Sequence, residues 1–262
     1  MRNYHSCLAL LAGASLALTA VLPADADAQR RGSRERDERR ELPSRGEPGV
    51  VAAADLAFAK AARENGQWAA FAEYAASGAV IHGEEGLIDA APWLAGLREP
   101  EAATSWEPNE IWTSCDGTMA VTTGRFEEAD GTLGSYATVW ELQNNRDYKW
   151  TYMIGSIDDP QPPPRIREEV VDDGDTIIVP GLLSIDGKVA DCRARGAEAV
   201  PPPTYAFDTP QELGEKLARD ATMRWRWEQH EDGRRVFLLD FLRYGEWQQV
   251  LDLRAPDADT TS

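Results

Sequence analysis

The sequence predicts an α+β fold: helices first, then a curved antiparallel sheet, then a smaller β-rich C-terminal region. Three observations carry this. Apolar residues recur at helical spacing between about residues 50 and 97. The period then changes to two, in segments rich in Thr, Val, Trp and Tyr. Asp116-Gly117, Asp130-Gly131 and Asn144-Asn145 punctuate those segments as hairpin turns require.

The chain opens with "MRNYHSCLALLAGASLALTAVLPADADA", in which Arg2 precedes an apolar run from Cys7 to Leu22 and small residues follow. This is the secretory pattern, with cleavage expected after Ala26 or Ala28, so residues 1–28 are expected to be a signal peptide. The run is too short and too alanine-rich for a membrane span. The mature protein is therefore expected to be soluble and exported, periplasmic or secreted, with no stable membrane insertion. Residues 29–48 hold seven Arg and five acids without an aromatic residue, and read as a disordered charged linker.

The first folded unit is expected over 49–157. "VAAADLAFAKAARENG" reads as a helix stopped at Asn65-Gly66. In "QWAAFAEYAASG", Trp68, Phe71, Ala72 and Ala75 share one helical face, with Gly78 as the stop. "AVIHG" reads as a short strand. "DAAPWLAGLRE" reads as a third helix, with Asp89 as N-cap and Pro92 in the first turn, where its missing N–H costs little. The Thr- and Trp-rich strands follow, and "DDPQPPPR" closes the unit with a linker over 158–175.

A small β-rich region with one helix is expected over 176–256. Asp186-Gly187 reads as a tight turn. Thr209-Pro210-Gln211-Glu212 reads as a capping box opening a helix. A three-strand meander turns first at Glu231-Asp232-Gly233. Its Met223, Trp225 and Trp227 alternate with Arg224 and Arg226, which predicts one apolar and one solvated face. Residues 257–262 read as a frayed tail.

Charge and spacing exclude several functions. The formal charge is −18, and the arginine-rich linker takes positive charge with it, so the folded part is more acidic still. Such a surface repels phosphate backbones, and no nucleic-acid partner is expected. Beyond the signal segment there are two cysteines, Cys115 and Cys192. Export permits them to pair; the alternative is two small buried residues that never meet. As a nucleophile Cys115 is disfavoured, because adjacent Asp116 raises a thiol pKa. His82, Glu84 and Glu85 suggest a metal, but His230 is distant in sequence and no His-Glu-x-x-His is present. No metal and no cofactor are expected. "GLLSIDGKV" has one residue too many for a phosphate loop, and neither a Gly-x-Ser-x-Gly elbow nor a dinucleotide fingerprint occurs.

Trp106, Trp112, Tyr136, Trp140 and Tyr152 remain, all on expected strands. Trp and Tyr join apolar area to one polar group, which suits a concave ligand pocket as well as a core. Strand alternation groups Tyr136 with Thr138 and Trp140, and Trp150 with Tyr152 and Ile154.

The order Trp106-x-Pro108, Asp116-Gly117, Thr122-Thr123-Gly124, Gly134-x-Tyr136-x-Thr138-Val139-Trp140 and Lys149-Trp150 resembles the nuclear transport factor 2-like, or SnoaL-like, superfamily. It is most similar to the exported bacterial branch described as domain of unknown function 4440. The resemblance implies a cone of three helices wrapped by a curved sheet, with a pocket in its mouth. The superfamily includes isomerases, dehydratases, cyclases and non-catalytic subunits, so the fold leaves function open. In its isomerases a carboxylate base follows the first short strand, where this chain has His82 or Gly83. His82 is then either a general base or a hydrogen-bonded strand-end histidine. The leading expectation is a non-catalytic module that binds a small apolar molecule or self-associates. The alternative is an isomerase or dehydratase using His82. Relatives often pair through their sheets, which makes a homodimer one expectation; cover by the C-terminal meander is the other.

Overall fold

The computed structural model describes residues 46–163, 184–193, 198, 200–204 and 210–255. The expected signal peptide and tail, nearly all of the charged linker and most of the 158–175 linker lie outside the described residues. The α+β class holds, with three helices and two sheets among the described residues. Helix α1 (Pro48–Asn65) starts with proline at its first position and stops at Gly66, whose φ of 110° suits glycine. Helices α2 (Gln67–Tyr74) and α3 (Ala90–Ala95) follow. Among the described residues no helix is long and apolar enough to cross a membrane.

The first sheet contains β1 (Ala75–Gly83), β2 (Gly86–Asp89), β3 (Ser105–Thr113), β4 (Met119–Glu127), β5 (Leu133–Leu142), β6 (Tyr148–Ile157) and β7 (Asp186–Val189). Their order is β2-β1-β6-β5-β4-β3-β7. β1 runs parallel to β6 and β7 parallel to β3, while the other neighbours are antiparallel. The second sheet has the order β11-β10-β9-β8, from β8 (Glu212–Leu217), β9 (Met223–Gln229), β10 (Arg235–Arg243) and β11 (Glu246–Ala255).

Five hairpins share one turn chemistry. In each, a carbonyl accepts from the N–H three residues on: Ser114, Glu128, Gln143, Ala218 and His230. The donors Gly117, Gly131, Arg146, Ala221 and Gly233 all have positive φ. The residue before each is Asp or Asn, and its side chain accepts from the backbone N–H two positions ahead of it. This is the self-capping that suits Asx residues to turns.

The helices cover one face of the first sheet and the second sheet covers the other. Phe58, Ala59 and Ala62 pack with Trp106, Ile111, Trp140 and Trp150 on the helix side. On the far side, Trp112, Val121, Val139 and Tyr152 meet Met223, Trp225, Phe237 and Phe241. Two β-bulges decide which aromatic goes where. Asn109 is the extra residue where β3 slips register between Pro108 and Glu110. Thr151 is the extra residue in β6, opposite Val139 and Trp140. An extra residue reverses the facing of all that follows. Trp106 and Trp112 therefore lie on opposite faces, and so do Trp150 and Tyr152, which simple alternation had grouped together.

Three other expectations are corrected. Glu212–Leu217 forms strand β8 and not a helix. Leu213 and Leu217 have helical spacing, but both are exposed; β8 instead pairs along β9. Gly214 receives the Trp227 indole, since a Cβ there would come within 2.5 Å of Nε1. Asp186-Gly187 is no turn but part of β7, paired with Glu110 and Ile111. The second face of β9 is not solvated: Arg224 and Arg226 are buried, and both donate to the buried Asp240 carboxylate. Arg224 also donates to the Pro203 carbonyl, and Trp247 to that of Val200, so the 200–204 segment reaches this sheet.

Cys115 and Cys192 form a disulfide across 77 residues. In the chain-entropy picture, a loop of that length removes roughly 4.5 kcal/mol of freedom from the unfolded chain. Beside it, Cys115 N–H donates to the Thr222 hydroxyl and Asp116 N–H to the Asp220 carboxylate, which interlocks two of the hairpin turns.

Candidate functional site

An apolar pocket of about 300 Å³ opens between the helices and the first sheet. The helices contribute Phe58, Trp68, Phe71 and Trp93; the sheet contributes Trp106, Phe126 and Tyr136. Neighbouring rings meet edge to face. Trp68 lies 5.5 Å from Trp93 at 74°, and Phe58 lies 4.7 Å from Trp106 at 64°. The walls thus turn in several directions, as in a box. Phe126 keeps its place because Gly134 lies beneath it; a Cβ there would come within 2.2 Å of the ring. Polar lining residues are Gln67, Thr104, Thr138 and Glu128. Gln67 Oε1 accepts from Thr104 N–H, which ties the start of α2 to the chain entering β3.

A buried carboxylate stands behind this wall. Asp55, on the packed face of α1 with Val51, Phe58 and Ala62, is 1% exposed. It accepts from Trp106 Nε1 at 2.9 Å and from the Tyr136 hydroxyl at 3.3 Å. Thr122 is a third partner, and its hydroxyl also accepts from Trp140 Nε1. Burial lifts the Asp55 pKa from 3.8 to about 6, although the three hydrogen bonds pull it down. Burial, reinforced by Asp55, holds the Tyr136 hydroxyl well above its ordinary range.

Of the aromatics expected at a pocket, Trp106 and Tyr136 line it. Trp140 is fully buried among the helix-side core residues. Trp112 and Tyr152 face the second sheet, where Trp112 lies 5.0 Å from Phe241 and beneath the Lys188 ammonium. His82 also faces the second sheet, while its neighbour Ile81 lines the pocket. The His82 side chain is buried between Tyr152, Gln229 and Trp227. Gln229 Oε1 can only accept, so Nε2 carries the proton and donates at 3.0 Å. Nδ1 then accepts from the Tyr152 hydroxyl at 2.7 Å. Burial lowers the His82 pKa from 6.5 to about 4, with charged Arg235 adding to the effect against the Gln229 bond. This is a neutral imidazole joining two sheets, and it does not reach the pocket. Among the described residues, no group of three or more His, Cys, Asp or Glu gathers as metal ligands would.

Asp55 escaped the sequence reading although its signal was present. It is the one acid within "VVAAADLAFAKAA", on the stripe defined by Val51, Phe58 and Ala62. An acid on the buried stripe of an apolar helix needs donors, and such groups often mark sites.

No protein-family model matches the chain, and no curated protein matches it.

Proposed function

We propose that this chain is an exported, non-catalytic binding protein whose 49–157 unit is a nuclear transport factor 2-like cone holding a small apolar molecule. The observation that carries the reading is the pocket of about 300 Å³ with seven aromatic side chains on its lining. That volume is at the lower end for small-molecule sites, and the apolar, aromatic lining is typical of them. The element order also supports the family reading, with helices on one face of a curved, mainly antiparallel sheet. The disulfide and the secretory pattern of residues 1–28 support export. The buried ionisable groups at the pocket wall, Asp55 and Tyr136, bond to each other, Glu128 sits at an exposed turn, and His82 lies on the other face of the sheet, so a binding role fits better than acid–base turnover. Self-association through the outer face of the first sheet forms no part of the proposal, because β8–β11 bury that face.

The test uses N-phenyl-1-naphthylamine, an uncharged apolar fluorophore. The disulfide-intact full chain should bind it saturably at micromolar concentration, and Met153→Trp, which fills the pocket, should abolish binding. No saturable binding at millimolar probe, or equal binding by the filled variant, overturns the reading.

A further inference from the structure

We infer that the pocket is built for an organic cation, a quaternary or tertiary ammonium group carried on an apolar body; this deepens the binding-protein reading and rests on it. Three independent features point to positive charge. The first is the box itself. Trp68, Trp93 and Trp106 stand with Phe58, Phe71 and Tyr136 around one small volume. Aromatic faces carry negative potential, tryptophan most of all, and aromatic cages are the recurring solution for quaternary ammonium ligands.

The second feature is the carboxylate behind the wall. Asp55 accepts the indole N–H of Trp106 and the hydroxyl of Tyr136. A ring that donates to a carboxylate is polarised, with electron density moved toward its face. The charge of Asp55 thus acts on the pocket through two lining rings. A cation would feel it through those rings without breaking either hydrogen bond.

The third feature is the sign of the lining charge. Among the described residues, Glu128, at the exposed β4–β5 turn, is the one charged lining residue, and neither Lys nor Arg lines the pocket. Arg125, beside Phe126 on β4, donates to Ser135 and is paired with Asp158. The full chain carries −18, so the surrounding field also favours cations. A neutral apolar ligand would use the box but none of this electrostatic arrangement.

The test compares benzyltrimethylammonium with neopentylbenzene, its uncharged isostere with carbon in place of nitrogen. Binding to the disulfide-intact full chain is followed by tryptophan fluorescence. The cation should bind about tenfold tighter than the isostere. Glu128→Gln and Trp93→Leu should each weaken the cation more than the isostere, and so shrink that ratio. Equal or tighter binding of the isostere overturns the cation inference and leaves the apolar pocket standing. Failure of both isosteres while N-phenyl-1-naphthylamine binds overturns the cation inference alone. Failure of all three probes overturns both readings.

Discussion

Replacing Asp55 by Asn should make the protein more stable at neutral pH, and the gain should vanish in acid. Asp55 is 1% exposed and titrates near 6 when folded, against 3.8 for a free side chain. Between those values the folded state holds more protons than the unfolded state, so its contribution to stability falls as pH rises. The contribution is fully present below 3.8 and lost as pH climbs through 6. A shift of that size corresponds to about 3 kcal/mol at neutral pH. Asn keeps the shape and an oxygen for Trp106 Nε1, but carries no buried charge. His82 works in the opposite direction. Its folded pKa of about 4 lies below 6.5, so its contribution is present above 6.5 and lost as pH falls through 4. From about pH 4 to 6 the two slopes nearly cancel in the native protein. Subtracting native from variant stability at each pH removes His82 and every other shared group. The assay is urea unfolding across this range, extrapolated to water. The difference should rise by about 3 kcal/mol from acid to neutral pH. A pH-independent difference, or a variant weaker than native at neutral pH, refutes the account of Asp55 as a buried carboxylate that costs stability when ionised.

Two further substitutions probe the frame around the pocket. His82→Phe strands the Tyr152 hydroxyl and the Gln229 amide oxygen between the sheets, and should cost about 2–4 kcal/mol in urea unfolding while N-phenyl-1-naphthylamine affinity stays within threefold; turnover or binding lost without loss of stability would return His82 to the functional site. Ala221 has φ of 53° in the turn position that glycine fills in three sister hairpins, so Ala221→Gly should relieve strain and raise stability by about 0.5–1 kcal/mol; a lowered thermal midpoint would show that the Ala221 conformation is not strained.

Local chemistry was legible in the sequence at several turns and at one helix stop, but not at Gly78, which lies inside β1 rather than ending a helix, nor at Asp186-Gly187. Gly66 ends α1, and the Asp-Gly pairs at 116–117, 130–131 and 232–233 make their turns, because each answers a backbone need with its own side chain or with the lack of one. What escaped depends on partners distant in sequence. The bulges at Asn109 and Thr151 carry no compositional mark, yet they move Trp112 and Tyr152 out of the pocket. β8 looks helical alone and becomes a strand because β9 offers it a ladder. Arg224 and Arg226 look solvated until Asp240 on the neighbouring strand is placed between them. His82 had the correct residue type, and its direction followed from which strand face the second sheet would cover.

That covering bears on the pocket as well. Apolar packing between the sheets is non-directional and would tolerate sliding. Polar bridges fix one alignment, and two groups of them stand well apart. On β1, His82 joins Tyr152 to Gln229, Arg235 donates to the His82 carbonyl, and Gln229 donates to that of Glu84. At the β3–β4 turn, on the far side of the strand order, Cys115 and Asp116 bind the 218–222 turn beside the disulfide. β5 and β6, which carry pocket-lining Tyr136 and Met153, lie between these anchors and are backed by Trp225 and Phe237. A wall held from behind gives up little freedom when a ligand arrives, and that freedom is a main cost of binding. The second sheet thus serves the site without touching it: it occupies the outer face of the first sheet and holds the strands of the aromatic wall in place.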